Sequence, residues 1–155
     1  MLDGEAVDDP KPLIIDFGHA QILADGIPCN CNKLSFGYSS PEQLEGKVHG
    51  FPSDVYGMGC CFSYIVNAMD PYYTDEIPNM LKNARNGKIA MDEKRWSELP
   101  QNLVDLIDGM IRYDPERRYT LDKCLEHPVF YEILGYECLI NEANLAQMQD
   151  NNINV

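Results

Sequence analysis

The chain contains no apolar run that could cross a bilayer, which takes about 20 residues. Its most apolar stretch, residues 51–69, is too short and is interrupted by glycines and by Asn67. Basic residues are scarce: 12 Lys and Arg stand against 25 Asp and Glu, for a net charge of -13. A balance this acidic excludes a general affinity for nucleic acid or for anionic membranes. The single tight basic pair is Arg117-Arg118. Residues 1–9 are acidic and lack the apolar core of a secretory signal, so the expected location is cytoplasmic. The 6 cysteines then read as reduced thiols and not as a disulfide framework. No repeat of about 20–50 residues is visible. Residues 19–34 hold no Ser, Thr or Tyr, which leaves no hydroxyl there to phosphorylate.

What is present fits one globular domain: 155 residues, 45% of them apolar. Between residues 54 and 69 only Ser63 and Asn67 are strongly polar, so apolar side chains occur round every face. A strand seldom lasts this long, and a surface helix would show a polar side. The pattern predicts a buried central helix, opened at Pro52-Ser53-Asp54 and closed at Asp70-Pro71.

Upstream of it, turn-rich residues precede Leu13-Ile14-Ile15, a short apolar run predicted to be a strand. Asp16-Phe17-Gly18 follows, then an irregular stretch containing Cys29-x-Cys31. Two thiols do not fill a tetrahedral zinc site, so these are expected to be ordinary loop cysteines. Cys60 and Cys61 are expected to act as small core hydrophobes. Downstream, residues 77–86 read as a short helix closed by Asn86-Gly87. Pro100 is a good first helical residue for a helix carrying Leu103, Leu106, Ile107, Met110 and Ile111 on one face. Thr120 is a plausible N-cap for residues 121–126, and His127-Pro128 ends that helix. From Gln147 onward Asp, Asn and Gln dominate, as in a frayed tail.

Five short patterns, in one order, resemble the second part of the large lobe of eukaryotic protein kinases. Asp16-Phe17-Gly18 resembles the tripeptide that opens the activation segment, and Tyr38-Ser39-Ser40-Pro41-Glu42 resembles the Tyr-x-Ala-Pro-Glu that closes it. Asp54, Tyr56 and Gly59 match the signature of the family's central helix. Asp114-Pro115-x-x-Arg118-x-Thr120 and Leu125-x-His127-Pro128-x-Phe130 match its late signatures. The resemblance implies a mainly α fold over residues 1–130: a short β-hairpin remnant, an activation segment, then a helical bundle around the buried central helix. Residues 131–155 would be a C-terminal extension with a disordered end.

The same resemblance implies roles. Asp16 would hold magnesium bridging the nucleotide phosphates, with Phe17 packed inward and Gly18 bending freely. Glu42 and Arg118 would form a buried ion pair clamping the activation segment to the helices. Ser35, three residues before Tyr38, stands where Ser/Thr kinases usually carry a threonine in the loop that receives the substrate; with Tyr38 it favours the Ser/Thr class. An intact relative would use ATP and Mg2+ to phosphorylate protein Ser/Thr hydroxyls.

The sequence contains no Gly-x-Gly-x-x-Gly, no lysine in a Val-Ala-Ile-Lys-like setting and no His-Arg-Asp-x-x-x-x-Asn loop. Phosphoryl transfer rests on positioning and charge stabilisation by those parts. The chain is therefore expected to be inactive alone and to bind no ATP or Mg2+ by itself. It is expected to be a fragment of a Ser/Thr kinase, with a catalytic-loop-like segment encoded just upstream of Met1. The alternative is a complete, non-catalytic (pseudokinase-like) interaction module. Partners would be a protein substrate or docking partner. Self-association is also expected, through an uncovered face of the central helix with Tyr56, Met58, Phe62 and Ile65 as candidates.

Overall fold

The computed structural model describes residues 2–3, 11–23, 34–72, 74–87 and 93–130. The chain is mainly helical. Strands β1 (Leu2–Asp3) and β2 (Lys11–Pro12) pair antiparallel, Leu2 opposite Pro12 and Asp3 opposite Lys11. A 3-10 turn (Phe17–His19) follows, then helices α1 (Pro41–Leu44), α2 (Phe51–Asn67), α3 (Ile77–Arg85), α4 (Glu93–Glu98), α5 (Gln101–Met110) and α6 (Leu121–Leu125). Among the described residues, no helix is long and apolar enough to cross a membrane.

The antiparallel pair lies nearer the N-terminus than the sequence suggests. Leu13, Ile14 and Ile15 are outside any strand and 51%, 82% and 56% exposed. Their apolar character alone does not make a strand: a strand needs a hydrogen-bonding neighbour, and among the described residues the only strand partner is aligned with residues 11–12.

Local chemistry accounts for most helix limits. Pro41, Pro52 and Pro78 each sit at the first or second position of a helix, where a missing N–H costs nothing. Thr120 caps α6, its Oγ1 accepting from the Lys123 N–H at 3.2 Å. Pro100 is the N-cap of α5 and not its first residue. The short helix α4 has no apolar periodicity, which is why its existence is not evident from the sequence.

Helix α2 is the centre, and α5 packs along it. Val55 with Leu106, Met110, Tyr119, Cys124 and Val129 forms one core cluster, and Tyr56 and Cys60 with Tyr72, Ala84, Ile107 and Ile111 forms another. Ile107 and Ile111 are fully buried, each stabilising by about 1.5–3 kcal/mol relative to exposure.

The prediction that α2 is buried all round is corrected. Its buried face carries Ser53, Val55, Tyr56, Gly59, Cys60, Ser63 and Asn67, while Met58 and Ile65 are 43% and 76% exposed. Tyr56 does not line the uncovered face, being only 3% exposed. Cys60 is a core residue as expected, but Cys61 is exposed. The reason is geometric: the hydroxyl of buried Ser53 donates to the Glu42 carboxylate inside, and helical spacing then turns Met58, Cys61 and Ile65 outward.

Candidate functional site: the Glu42–Arg118 centre and the residues 16–42 segment

The segment that leads into α1 turns sharply at residues 35–39. The Tyr38 and Ser39 N–H groups both donate to the Ser35 carbonyl, at 3.1 and 2.9 Å, and Ser39 Oγ accepts from the Ser35 N–H at 2.8 Å. Gly37 adopts φ +88 there, with the Asp70 carboxylate where a side chain would go. Burial, followed by the charge and hydrogen bond of Asp70, pushes the Tyr38 hydroxyl up to about 12. Ser40 then starts α1, its N–H donating to Gln43 Oε1 at 2.9 Å.

Glu42, two residues further on, meets Arg118 from the loop after α5. The contact is bidentate: Nη1 donates to Oε1 at 2.7 Å and Nη2 to Oε2 at 2.9 Å. Both side chains are buried, Arg118 at 0% and Glu42 at 7% exposure. Arg118 also donates to the carbonyls of Pro52 at 2.7 Å, Arg112 at 3.0 Å and Tyr113 at 3.3 Å, and its guanidinium lies 5.0 Å over the Tyr56 ring. Ser53 Oγ donates to Glu42 Oε1 at 2.8 Å, and Ser40 Oγ lies 3.1 Å from Ser53 Oγ. Burial works against the Glu42 carboxylate, but the Arg118 hydrogen bonds and charge outweigh it and hold the group below the usual carboxylate range. Each remaining polar site on the buried pair is satisfied, the condition under which a buried ion pair is tolerated.

Two outlying networks brace the same region. Glu45 accepts from the Tyr113 hydroxyl and pairs with Arg85 at 3.3 Å and with Lys47. Beyond α5, buried His127 contacts Asp105 Oδ2 through Nε2 at 3.0 Å, and Tyr119 OH donates to the same oxygen at 3.1 Å. The Val129 N–H donates to His127 Nδ1 at 3.4 Å. That pattern assigns the ring proton to Nε2.

The other sequence-selected residues sit apart from this centre. Asp16 is exposed, in the left-handed region at φ 62, with Oδ1 accepting from the Gly18 N–H at 3.3 Å. Phe17 does not pack inward: it is 67% exposed. Ser35 is exposed, and Asp54 stands exposed in the first turn of α2, where a carboxylate suits the helix dipole. Gly59 faces α5 at close range. Cys29, Cys31 and the tail from residue 131 lie outside the described residues. Sequence reasoning missed Ser53, whose bridging position could have been suspected from its place directly before Asp54. It also missed Asp70 and the Asp105–His127–Tyr119 group, whose partners are distant in sequence.

As a magnesium ligand Asp16 has the right chemistry, a hard carboxylate oxygen. Among the described residues, however, no group of three His, Cys, Asp or Glu side chains comes together to complete a metal site.

Residues 4–130 match the family described as Protein kinase domain. This chain belongs to that family. Among its relatives is the calcium/calmodulin-dependent protein kinase type 1 of Caenorhabditis briggsae, 28% identical over 78% of this chain and 34% of the relative. The type 1B enzyme of Rattus norvegicus is 27% identical, over 77% of this chain and 35% of its own length. The serine/threonine-protein kinase srk1 of Schizosaccharomyces pombe is 26% identical over 74% of this chain and 20% of its own. The chain thus spans about a third or less of the kinases it resembles, and matches part of a protein kinase domain.

Proposed function

We propose that residues 1–130 are the C-terminal part of the large lobe of a Ser/Thr protein kinase, followed by an extension over residues 131–155. The observation that carries this reading is the bidentate, buried Glu42–Arg118 pair, which fastens the end of the residues 16–42 segment to the helical bundle. In this reading the whole protein moves the ATP γ-phosphate to a protein Ser or Thr hydroxyl in the cytoplasm. Asp16 supplies one ligand to the magnesium that neutralises phosphate charge when nucleotide is bound. Residues 35–40 present a fixed surface to the substrate: the Ser35 turn and the Tyr38–Asp70 contact hold its shape, and Glu42–Arg118 anchors its base. The chain alone is inactive, because the nucleotide loop, strand lysine and catalytic loop are not among its residues.

The test is to sequence the transcript upstream of Met1 and assay the complete reading frame on Ser, Thr and Tyr peptides. A catalytic-loop-like segment upstream, Ser/Thr transfer by the complete protein and loss of transfer in Asp16→Asn support the reading. A complete reading frame lacking that segment would leave a non-catalytic interaction module. One observation favours that second reading: Phe51 and Met58 lie exposed on α2, at 63% and 43%, as on a docking or self-association face. Phe51→Lys with Met58→Lys should then lower the sedimentation-derived association of the purified chain, and an unchanged monomer would speak against it.

A further inference from the structure

Ser40 stands where the family pattern Tyr-x-Ala-Pro-Glu carries alanine. Its side chain is fully buried, and burying a hydroxyl is costly unless it is bonded. Two oxygens lie within reach of Ser40 Oγ: Gln43 Oε1 and Ser53 Oγ, each at 3.1 Å. Gln43 Oε1 already accepts the Ser40 N–H at 2.9 Å. Ser53 is buried as well, and it directs its own proton to Glu42 Oε1 at 2.8 Å.

We propose that Ser40 is a positioning residue for Glu42: Ser40 Oγ donates to Ser53 Oγ, Ser53 Oγ donates to Glu42 Oε1, and this relay holds the carboxylate as an anion. Its direction follows from counting protons. A serine hydroxyl has one proton. That of Ser53 is engaged by the carboxylate, so Ser53 meets Ser40 only as an acceptor. A hydroxyl that donates to a carboxylate is polarised, and bonds in such a chain strengthen one another by about 10–30% each. That polarisation favours Ser53 over Gln43 Oε1, which the Ser40 N–H already occupies.

Glu42 has a use for such support. Burial pushes its carboxyl up, while the Arg118 hydrogen bonds and charge, and after them the Ser53 hydrogen bond, pull it down. Arg118, from the loop after α5, is the charged group that faces it, donating to the same Oε1 at 2.7 Å. From α2 the titratable neighbour is Tyr56, whose phenol burial pushes far up, so that it stays neutral. The relay ties the start of α1, at Ser40, and the first turn of α2, at Ser53, to one charge. It concerns an ionisation inside this chain and stands whether or not the whole protein transfers phosphate.

The experiment is a pH titration of Glu42 in the 155-residue chain, followed by the carbon-13 resonance of its labelled carboxyl group. Ser40→Ala is the main variant, because alanine is the residue the family pattern carries there. It should move the Glu42 midpoint upward by some tenths of a pH unit. Ser53→Ala should move it further, and adding Ser40→Ala to Ser53→Ala should then change nothing, the relay being already cut. A Glu42 midpoint unchanged in Ser40→Ala would overturn the proposal, even in a less stable variant. So would an equal Ser40→Ala shift with and without Ser53. Acid unfolding followed by circular dichroism gives a second readout. Ser40→Ala should raise its midpoint pH and have no such effect in a Glu42→Gln background; an equal rise in both would overturn the proposal as well.

Discussion

Gly59 of α2 and Met110 of α5 approach so closely that a methyl group on Gly59 would stand 2.7 Å from Met110 Cβ and 2.7 Å from Ile111 Cγ2. The two helices carry both core clusters, so this one missing side chain sets how near they lie. Gly59→Ala gains up to about 1 kcal/mol of helix propensity. Overpacking a rigid crossing costs about 1–3 kcal/mol, so the net effect should be destabilising. Gly57→Ala, two residues away, meets only the Tyr38 carbonyl at 3.4 Å. It should be neutral or stabilising. Denaturation midpoints of the two variants moving in opposite directions would support this account; equal shifts would refute it.

Arg118→Ala should be severe. It leaves the Glu42 carboxylate buried without its cation and strips donors from three carbonyls. Breaking a buried pair from one side costs about 3–5 kcal/mol. Arg117 is 81% exposed and only 3.6 Å from exposed Asp114, so Arg117→Ala should cost about 0–1 kcal/mol. Arg118→Lys should rescue little, since an ammonium cannot reproduce the bidentate fork. Urea denaturation checks all three.

The same pair predicts an acid response. Arg118 holds Glu42 below the usual carboxylate range, against the opposing effect of burial. A depressed folded value means that the stabilisation is complete above the unfolded value, about 4.3. It is then lost as pH falls through the folded value. Asp105 adds in the same direction, held low first by its hydrogen bond from His127. Stability should therefore be flat with respect to the Glu42 pair from pH 7 to about 5 and fall below that. Glu42→Gln should be less stable at pH 7 and show a shallower acid slope. An identical slope in the variant would remove Glu42 from the explanation.

Magnesium-ATP should not bind this chain with a saturable one-to-one isotherm at micromolar nucleotide. Asp16 is the one carboxylate the sequence places for the metal, and the described residues bring no metal-holding group of side chains together. Magnesium bound through one or two carboxylates relies on substrate phosphates held elsewhere. Titration calorimetry decides the matter, and a stoichiometric micromolar isotherm would contradict it.

Helix punctuation was legible because it is local. Thr120 before α6, Pro52 in the first turn of α2 and Gly87 after α3 each act on neighbouring backbone groups. Glu42 and Arg118 were selected from two short signatures, and the structure brings them together. What could not be read was orientation. Almost every face of α2 carries apolar side chains, so periodicity gave no preference between burying Tyr56 and burying Met58. The choice follows from long-range partners such as Ser53 with Glu42, which no window of sequence contains. Phe17 and Ile14 misled for the same reason: hydrophobicity states a preference for burial but does not supply a neighbour.

The distance along the chain between Glu42 and Arg118, 76 positions, has a kinetic consequence. Closing a loop of that length costs about 2.5 kcal/mol more than closing one of a few residues, by the logarithmic scaling of loop entropy. Loop entropy therefore favours forming the bridge after α2 and α5 have brought its ends together, late on the folding path. On the unfolding path the order reverses. An excursion that frees either end releases the Pro52, Arg112 and Tyr113 carbonyls together, so amide exchange around residues 42, 52 and 113 should share one opening rate.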